Sequence, residues 1–325
     1  MADLADKVVD AHRIVRSSSY HSGFDVLIAH NDSLRFMREV PNSIAALVVS
    51  SPPYNIGKPY ETKIELGDYL KAQKLVIKEC VRVLRPGGSL CWQVGNYVDD
   101  GEVFPLDIYF YRIFKSFKLK LRNRIIWRFG HGLHAQKRFS GRYEVILWFT
   151  KGDGYLFNLD SVRVPQKYPG KRVYKGPMRG KPASNPNGMN PSDFWDFLSH
   201  EWEEQVWDIP NVKANHPEKT IHPAQFPIEL VQRLVLAFTT EFPPHNLVLD
   251  PYSGVGSTLV AAALLNRKAI GVDNKKVYTD IAVKRVVKAY QGKLRVRPIG
   301  RPIFVPRGTE KVATRPPEWD AAFRE

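Results

Sequence analysis

Apolar residues along this chain fall into two rhythms. Short runs rich in β-branched and aromatic side chains recur at 24–29 (FDVLIA), 45–50 (AALVVS), 88–94 (GSLCWQV), 122–128, 143–149 (YEVILWF), 246–250 (NLVLD) and 268–273 (KAIGVD). Several are apolar at successive positions, as a strand must be when helices cover both faces of its sheet. Between the runs the spacing turns helical. Residues 68–84 place Leu70, Leu75 or Val76, Cys80, Val83 and Leu84 on one stripe, and Arg85-Pro86-Gly87-Gly88 ends it before the next run begins. Residues 226–239, with Leu230, Leu234 and Phe238 at successive turns, and 276–290 predict two more helices, the first opening after Pro227. Alternation of the two rhythms predicts a doubly wound, Rossmann-like α/β domain.

The rhythm fails over 165–215, where prolines and glycines are frequent and Lys167, Lys171, Arg172, Lys175, Arg179 and Lys181 crowd together. This stretch is expected to be an irregular insertion into one domain built from 1–164 and 216–325. Beyond about residue 291 the chain becomes Pro- and Arg-rich, an extended arm or a partly ordered tail. Lys plus Arg outnumber Asp plus Glu by 48 to 33 in 325 residues, and the formal charge of +15 favours a polyanionic partner. A hydrophobic fraction of 43% excludes a wholly disordered chain, but neither an enzyme nor a binding module. Cys80 and Cys91 are too few for a disulfide framework or a cysteine metal site, and no basic-then-apolar segment opens the chain, so a reducing cytoplasm is expected. No apolar run approaches the roughly 20 residues of a membrane span, so no membrane partner is expected.

Asp250-Pro251-Tyr252-Ser253-Gly254-Val255-Gly256 follows a strand and precedes the alanine-rich helical stretch 258–265. Its glycines occupy a strand-to-helix turn, where only glycine lets a ligand approach closely. Asp273 ends the next strand, where an acid can take both hydroxyls of a ribose. The same geometry serves NAD, but Leu259 replaces the third glycine of the dinucleotide pattern. A carboxylate at Asp250 would repel a pyrophosphate yet could accept from the ammonium group of S-adenosylmethionine. The plainer alternatives are a tight turn at the glycines and a helix N-cap at Asp273.

Ser51-Pro52-Pro53-Tyr54 follows the strand that ends at Ser50. Two prolines stiffen the chain and remove two donors, leaving a hydroxyl and carbonyls as an acceptor-rich edge beside the flat ring of Tyr54. Such an edge suits an exocyclic amine, whose delocalised lone pair needs acceptors on its hydrogens to move towards sp³. The plain alternative is a strand-terminating turn.

With these motifs the chain resembles the amino-group DNA methyltransferases of the permuted β type, in which the catalytic motif precedes the cofactor motif. Ser51 to Tyr54 matches the family's [DNS]-P-P-[YFW], and Asp250 to Gly256 its D-P-[FY]-x-G-x-G. His222-Pro223-Ala-Gln-Phe-Pro227 resembles the segment that covers the methionine moiety of the cofactor, and Asp32 matches the acid that faces its adenine. LRPGGSL at 84–90 and YEVILWFTKG at 143–152 are further matches. The resemblance implies the S-adenosylmethionine-dependent methyltransferase fold, with seven strands of which 122–128 and 143–149 pair antiparallel at one edge. It implies S-adenosyl-L-methionine as cofactor, double-stranded DNA as substrate and, from the serine heading the motif, N4 of cytosine as target, with N6 of adenine the alternative. A prokaryotic cytoplasm, at the nucleoid, goes with it, and a homodimer and a cognate restriction endonuclease are further partners it allows. C5 chemistry needs a reactive thiolate, whereas Cys80 and Cys91 both read as core.

A base inside a duplex hides its amine, so the nucleotide must be flipped into a pocket. The segment 128–142 brings Arg128, His131, His134, Lys137, Arg138 and Arg142 between two strands, and 165–215 brings Lys171, Arg172 and Lys175 with the aromatic residues Phe194, Trp195, Phe197, Trp202 and Trp207. These are the expected DNA contacts and target-recognition region; a solvated charged loop and a small local core are the bland alternatives. His131 and His134 have no Cys or acidic partners nearby, so no metal is expected. An RNA or protein methyltransferase and a non-catalytic DNA-binding module are the rivals.

Overall fold

The computed structural model describes residues 5–9, 11–58, 61–129, 135–166, 168–195, 209–213 and 216–301. Five runs of buried residues lie side by side as parallel strands: β3 (Val26–His30), β4 (Ala45–Ser50), β5 (Leu84–Val94), β11 (Leu247–Asp250) and β12 (Lys268–Asp273). The order across the sheet is β1-β2-β3-β12-β11-β4-β5-β9-β8-β10, where β1 is Ala5–Val9, β2 His12–Ser17, β8 Lys120–Arg128, β9 Tyr143–Thr150 and β10 Phe194–Trp195. β9 runs antiparallel to both β5 and β8, so the two runs expected as an antiparallel pair do pair.

Side chains alternate between two cores, one on each face. Ile28, Leu47, Val49 and Cys91 pack with α4 (Ile228–Phe238), α5 (Ser257–Leu264) and α6 (Lys276–Tyr290). Leu27, Val48, Leu90 and Trp92 pack on the other face with α1 (Ser33–Met37), α2 (Leu66–Val83) and α3 (Leu106–Ser116). The architecture is the doubly wound, mixed α/β sheet expected from the pattern. On α2 the buried stripe is Tyr69, Gln73, Val76, Ile77, Cys80 and Val83, while Leu75 is 49% exposed.

Among the described residues, ten strands form the sheet where seven were expected. β1 and β2 are short and carry charged residues among their apolar ones, β1 at the edge and β2 between it and β3, and β10 is a two-residue pairing with β8. A separate hairpin, β6 (Asn96–Asp99) with β7 (Glu102–Pro105), follows β5. Within 165–215, the described residues carry only β10 and the isolated bridges Val164↔Met189 and Arg172↔Pro182 as strand-like pairing. The arm lies on the domain as far as residue 301: the Arg297 amide donates to Glu218 Oε1 at 3.1 Å and the Gly300 amide to Glu229 Oε1 at 2.8 Å. No helix among the described residues is long and apolar enough to cross a membrane.

Candidate active site

The parallel strands end at one edge of the sheet, and β4 and β11 are neighbours whose following helices, α2 and α5, leave to opposite faces. Crevices open at such a point. Here a cavity of about 920 Å³ brings together Asp32, Ser51 to Tyr54, His222, Pro223, Tyr252 to Gly254 and Asp273. Segments far apart in sequence thus share one space.

The cofactor-motif turn is held from below by Asp250, which does not line the cavity. Fully buried, its carboxylate accepts from the Ser50 hydroxyl at 2.6 Å, the Thr258 hydroxyl at 2.5 Å and the Tyr252 amide at 3.0 Å. Burial pushes it up to about 6, while the three donors act in the opposite sense. Two of these donors meet Oδ1 and one Oδ2, so the carboxylate that was expected to meet an ammonium group fixes the turn from behind the cavity lining. Pro251, whose carbonyl takes the Ser33 hydroxyl at 2.5 Å, and Gly256 are also absent from the lining. Gly256 is left-handed at φ 78°, and a Cβ there would meet Ala282 of α6 at 2.8 Å, so it serves packing.

Gly254, Ser253 and Asp273 do face the cavity. Asp273 takes the Gly254 amide on Oδ2 at 3.0 Å and the Lys275 amide on Oδ1 at 2.8 Å. Each oxygen keeps a further lone pair for a hydroxyl, and burial raises this carboxyl above its ordinary range. The Ser253 hydroxyl is buried without a partner, an acceptor or donor waiting for one. The His222 ring lies over Gly254, its Nε2 at 3.4 Å from where a Cβ would be, and stands edge-on to Tyr278. Burial first, then Lys219, lowers His222 to about 4, so the ring is neutral. Its Nδ1 accepts the Ala224 amide at 3.2 Å, which places the ring proton on Nε2. Asp32 N-caps α1, taking the Arg35 amide at 2.9 Å, and its exposed side chain lines the cavity as well. An orphaned hydroxyl, a glycine cradle and a carboxylate with spare lone pairs fit a nucleoside-type cofactor with a polar tail.

Leu259 occupies the third-glycine place without disturbing close helix–strand packing, because the glycine has moved to the strand. A Cβ at Gly271 in β12 would come within 2.7 Å of Leu259 Cδ1 and 2.8 Å of Ser253 Cβ.

At the other end of the cavity, Ser51 Oγ lies 3.2 Å from the Tyr54 hydroxyl, which donates to Glu144 Oε2 at 3.3 Å. The Gln93 amide also donates to Glu144 Oε2. The Pro53 carbonyl is taken by the Tyr69 hydroxyl at 2.6 Å, which pins the tetrapeptide to α2. Tyr54 lies against Gly95, where a Cβ would meet its ring at 3.0 Å. Burial pushes Glu144 up to about 7, the hydrogen bonds from Gln93 and Tyr54 acting in the opposite sense. Sequence reasoning missed Glu144 and Gln93; the signal was a long polar side chain interrupting each of the apolar runs YEVILWF and GSLCWQV.

Of the expected DNA-contacting residues, Arg138 lines the cavity, Lys137 is exposed, and Arg128 and Arg142 are half-buried where β8 ends and β9 begins. Lys171, Arg172 and Lys175 are exposed and outside the cavity. His131, His134, Lys167, Phe197, Trp202 and Trp207 lie outside the described residues, as does the side chain of Trp195. The far end of the insertion returns to the site, for Asn211, Val212 and Lys213 line the cavity and Trp127 donates to the Ile209 carbonyl at 2.8 Å. Both cysteines are buried free thiols pushed up by burial, unsuited to covalent attack.

Residues 45–284 match the N6_N4_Mtase family, described as DNA methylase. The chain is 47% identical over 256 residues to the type II methyltransferase M.BglII of Bacillus subtilis, covering 78% of this chain and 67% of that one. It is 29% identical over 265 residues to the DNA adenine methyltransferase YhdJ of Escherichia coli K12, covering 80% and 82%. Among solved structures it is similar to TTHA0409 of Thermus thermophilus complexed with S-adenosyl-L-methionine, with 26% identity, a TM-score of 0.56 and coverage of 82% and 94%. The cytosine-N4-specific PvuII DNA methyltransferase shares the fold, at 18% identity, a TM-score of 0.59 and coverage of 85% and 94%. The chain belongs to the N6/N4 DNA methylase family, whose members depend on S-adenosylmethionine.

Proposed function

We propose that the protein methylates N4 of cytosine in a specific sequence of double-stranded DNA, as the modification partner of a restriction endonuclease or alone. The carrying observation is the hydroxyl of Ser51 at the lip of the cavity that also holds Asp273. S-adenosylmethionine supplies a methyl group on a positively charged sulfur. The protein contributes position and charge. Asp273 takes the ribose hydroxyls, Ser253 and His222 meet the methionine end, and Asp32 faces the adenine, while Ser51 accepts from the amine of a base stacked on Tyr54. Holding amine and methyl donor in line supplies much of the rate, with no covalent enzyme intermediate. The segment 165–215 serves target recognition: its basic part reaches DNA phosphates, and its end at 209–213 borders the flipped base.

Likeness to a DNA adenine methyltransferase favours a second reading, N6 of adenine. The two separate in one measurement. Duplex DNA exposed to the protein and cofactor, digested to nucleosides and analysed by mass spectrometry, is expected to yield N4-methylcytosine; N6-methyladenine alone would overturn the cytosine assignment.

A further inference from the structure

An exocyclic amine that gains a methyl group carries one proton too many, and the catalytic tetrapeptide has nowhere to keep it. A serine hydroxyl and a phenol each relay a proton well but hold a second one poorly. Glu144, which lines the same cavity, stands next to them. Its Oε2 accepts from the Tyr54 hydroxyl at 3.3 Å, and Ser51 Oγ lies 3.2 Å from that same hydroxyl.

Direction follows from donor counting. Tyr54 has one hydroxyl proton and commits it to Glu144, so its oxygen is the acceptor in the contact with Ser51. Ser51 then donates to Tyr54, and the lone pairs of its oxygen are left to accept from a substrate amine. The Gln93 amide, on β5, donates to the same Glu144 oxygen and holds it in place.

On the reading of this site as an amine methylase, we propose that Glu144 orients the Ser51 hydroxyl as an acceptor and is the destination of the proton released by methyl transfer. As the nitrogen lone pair forms the new N–C bond, the C–S bond breaks and its pair stays on sulfur, leaving the nitrogen cationic. One N–H proton passes to Ser51 Oγ, the serine proton passes to the Tyr54 oxygen, and the phenol proton passes to Glu144. The products are a neutral methylated amine, a neutral thioether and a protonated carboxyl, so charge and atoms balance. Glu144 acts through Tyr54 and Ser51, a positioning residue rather than one that touches the reacting atoms.

The surroundings suit such a role. Among the described residues, titratable side chains on the segments around Glu144 are Tyr54, Tyr143 beside it on β9, Arg128 opposite Tyr143 on β8, Arg138 and Arg142 on the preceding loop, and Lys213 on 209–213. Burial dominates over all of them and brings the carboxyl to about 7, where it can both take a proton and return it.

Single-turnover methylation of duplex DNA by the full chain, followed against pH, tests the relay. The carboxylate is the competent form, so the parental rate is expected to rise as pH increases through about 7. Glu144→Gln is expected to lose roughly 10²-fold or more in rate and to flatten that rise. Glu144→Asp should restore a pH-dependent rate, and Tyr54→Phe, which keeps the stacking ring, should flatten the profile as Glu144→Gln does. An infrared titration of the cofactor-free protein gives an independent readout: a carboxyl band titrating near 7 that Glu144→Gln removes. A parental rate in Glu144→Gln, or a slower rate with the parental pH profile in Glu144→Gln or Tyr54→Phe, would overturn the relay. Failure of the cytosine assignment looks different, as N6-methyladenine formed with the relay's pH profile intact.

Discussion

Asp273 and Ser51 look alike in the sequence, each a polar residue at the end of an apolar run, but the structure gives them different work. Asp273 is braced by two backbone amides and can receive a diol without moving. Asp273→Ala is expected to weaken cofactor binding by about 1.5–3 kcal/mol, the range of a hydrogen bond to a charged group, as titration calorimetry would show. The parent's affinity should fall as pH drops, because the ionised carboxylate is the better acceptor. Burial raises its titration, so the loss should begin at higher pH than the ordinary aspartate value of about 3.9 would give. Unchanged affinity in a folded Asp273→Ala variant would remove it from the site. Ser51→Ala, by contrast, should depress single-turnover methylation more than DNA affinity, since its contact with the amine strengthens in the transition state. Tyr54→Ala should lose both, stacking being worth about 1–3 kcal/mol per base, and a fluorescent base analogue at the target would report the loss directly. Parental rates in both variants would reduce Ser51 to Tyr54 to a rigid turn.

At the level of elements, the long apolar strands and the motif at each strand tip were legible because burial on both faces leaves few polar positions to blur them. β1, β2 and β10 were not, since short strands with charged residues among the apolar ones, such as HRIVRS, and a two-residue pairing leave little pattern. The bracing role of Asp250 was hidden for a related reason: sequence places it at the strand end but not its three donors, which arrive from Ser50, Thr258 and the Tyr252 amide. Glu144 was hidden because its partners Tyr54 and Gln93 lie on other segments, joined only when β5 pairs with β9. The exchange between Leu259 and Gly271 is the clearest case of information split between elements. Gly271→Ala alone should destabilise the fold by about 1–3 kcal/mol through overpacking against Leu259. Leu259→Ala alone should cost about 2–5 kcal/mol as a cavity. In the double variant the new methyl enters the space the leucine vacates, so denaturant unfolding should show a cost below the sum of the two. Strict additivity would mean that the close approach does not set the packing of α5 on β12.

Across the whole molecule, the charge of +15 is the one feature that composition announced and the fold distributes unevenly. Arg138 and Lys213 line the cavity, whereas Lys171, Arg172 and Lys175 stand exposed on the insertion, away from it. On the proposed reading, charges in the first place act on a flipped nucleotide and charges in the second on the phosphates of flanking duplex. Arg172 has a further task, donating to the Gly180 carbonyl at 2.7 Å, so replacing it loosens the Arg172↔Pro182 loop as well as removing charge. Lys171→Gln with Lys175→Gln is therefore the cleaner variant, and Arg172→Gln should be added second. Each phosphate left without its cation is expected to reduce the slope of log affinity against log salt by about 0.9, so the pair should flatten it by roughly twice that and weaken binding equally for target and non-target duplexes. Cofactor affinity should not change, because neither lysine lines the cavity. Adding Arg172→Gln should flatten the slope once more and, unlike the lysine changes, narrow the gap between target and non-target binding, because the loosened loop no longer positions its neighbours. A parental slope in the triple variant would show that the insertion is not the surface that meets DNA, and would shift that role to Lys137, Arg138 and Arg142 beside the catalytic edge.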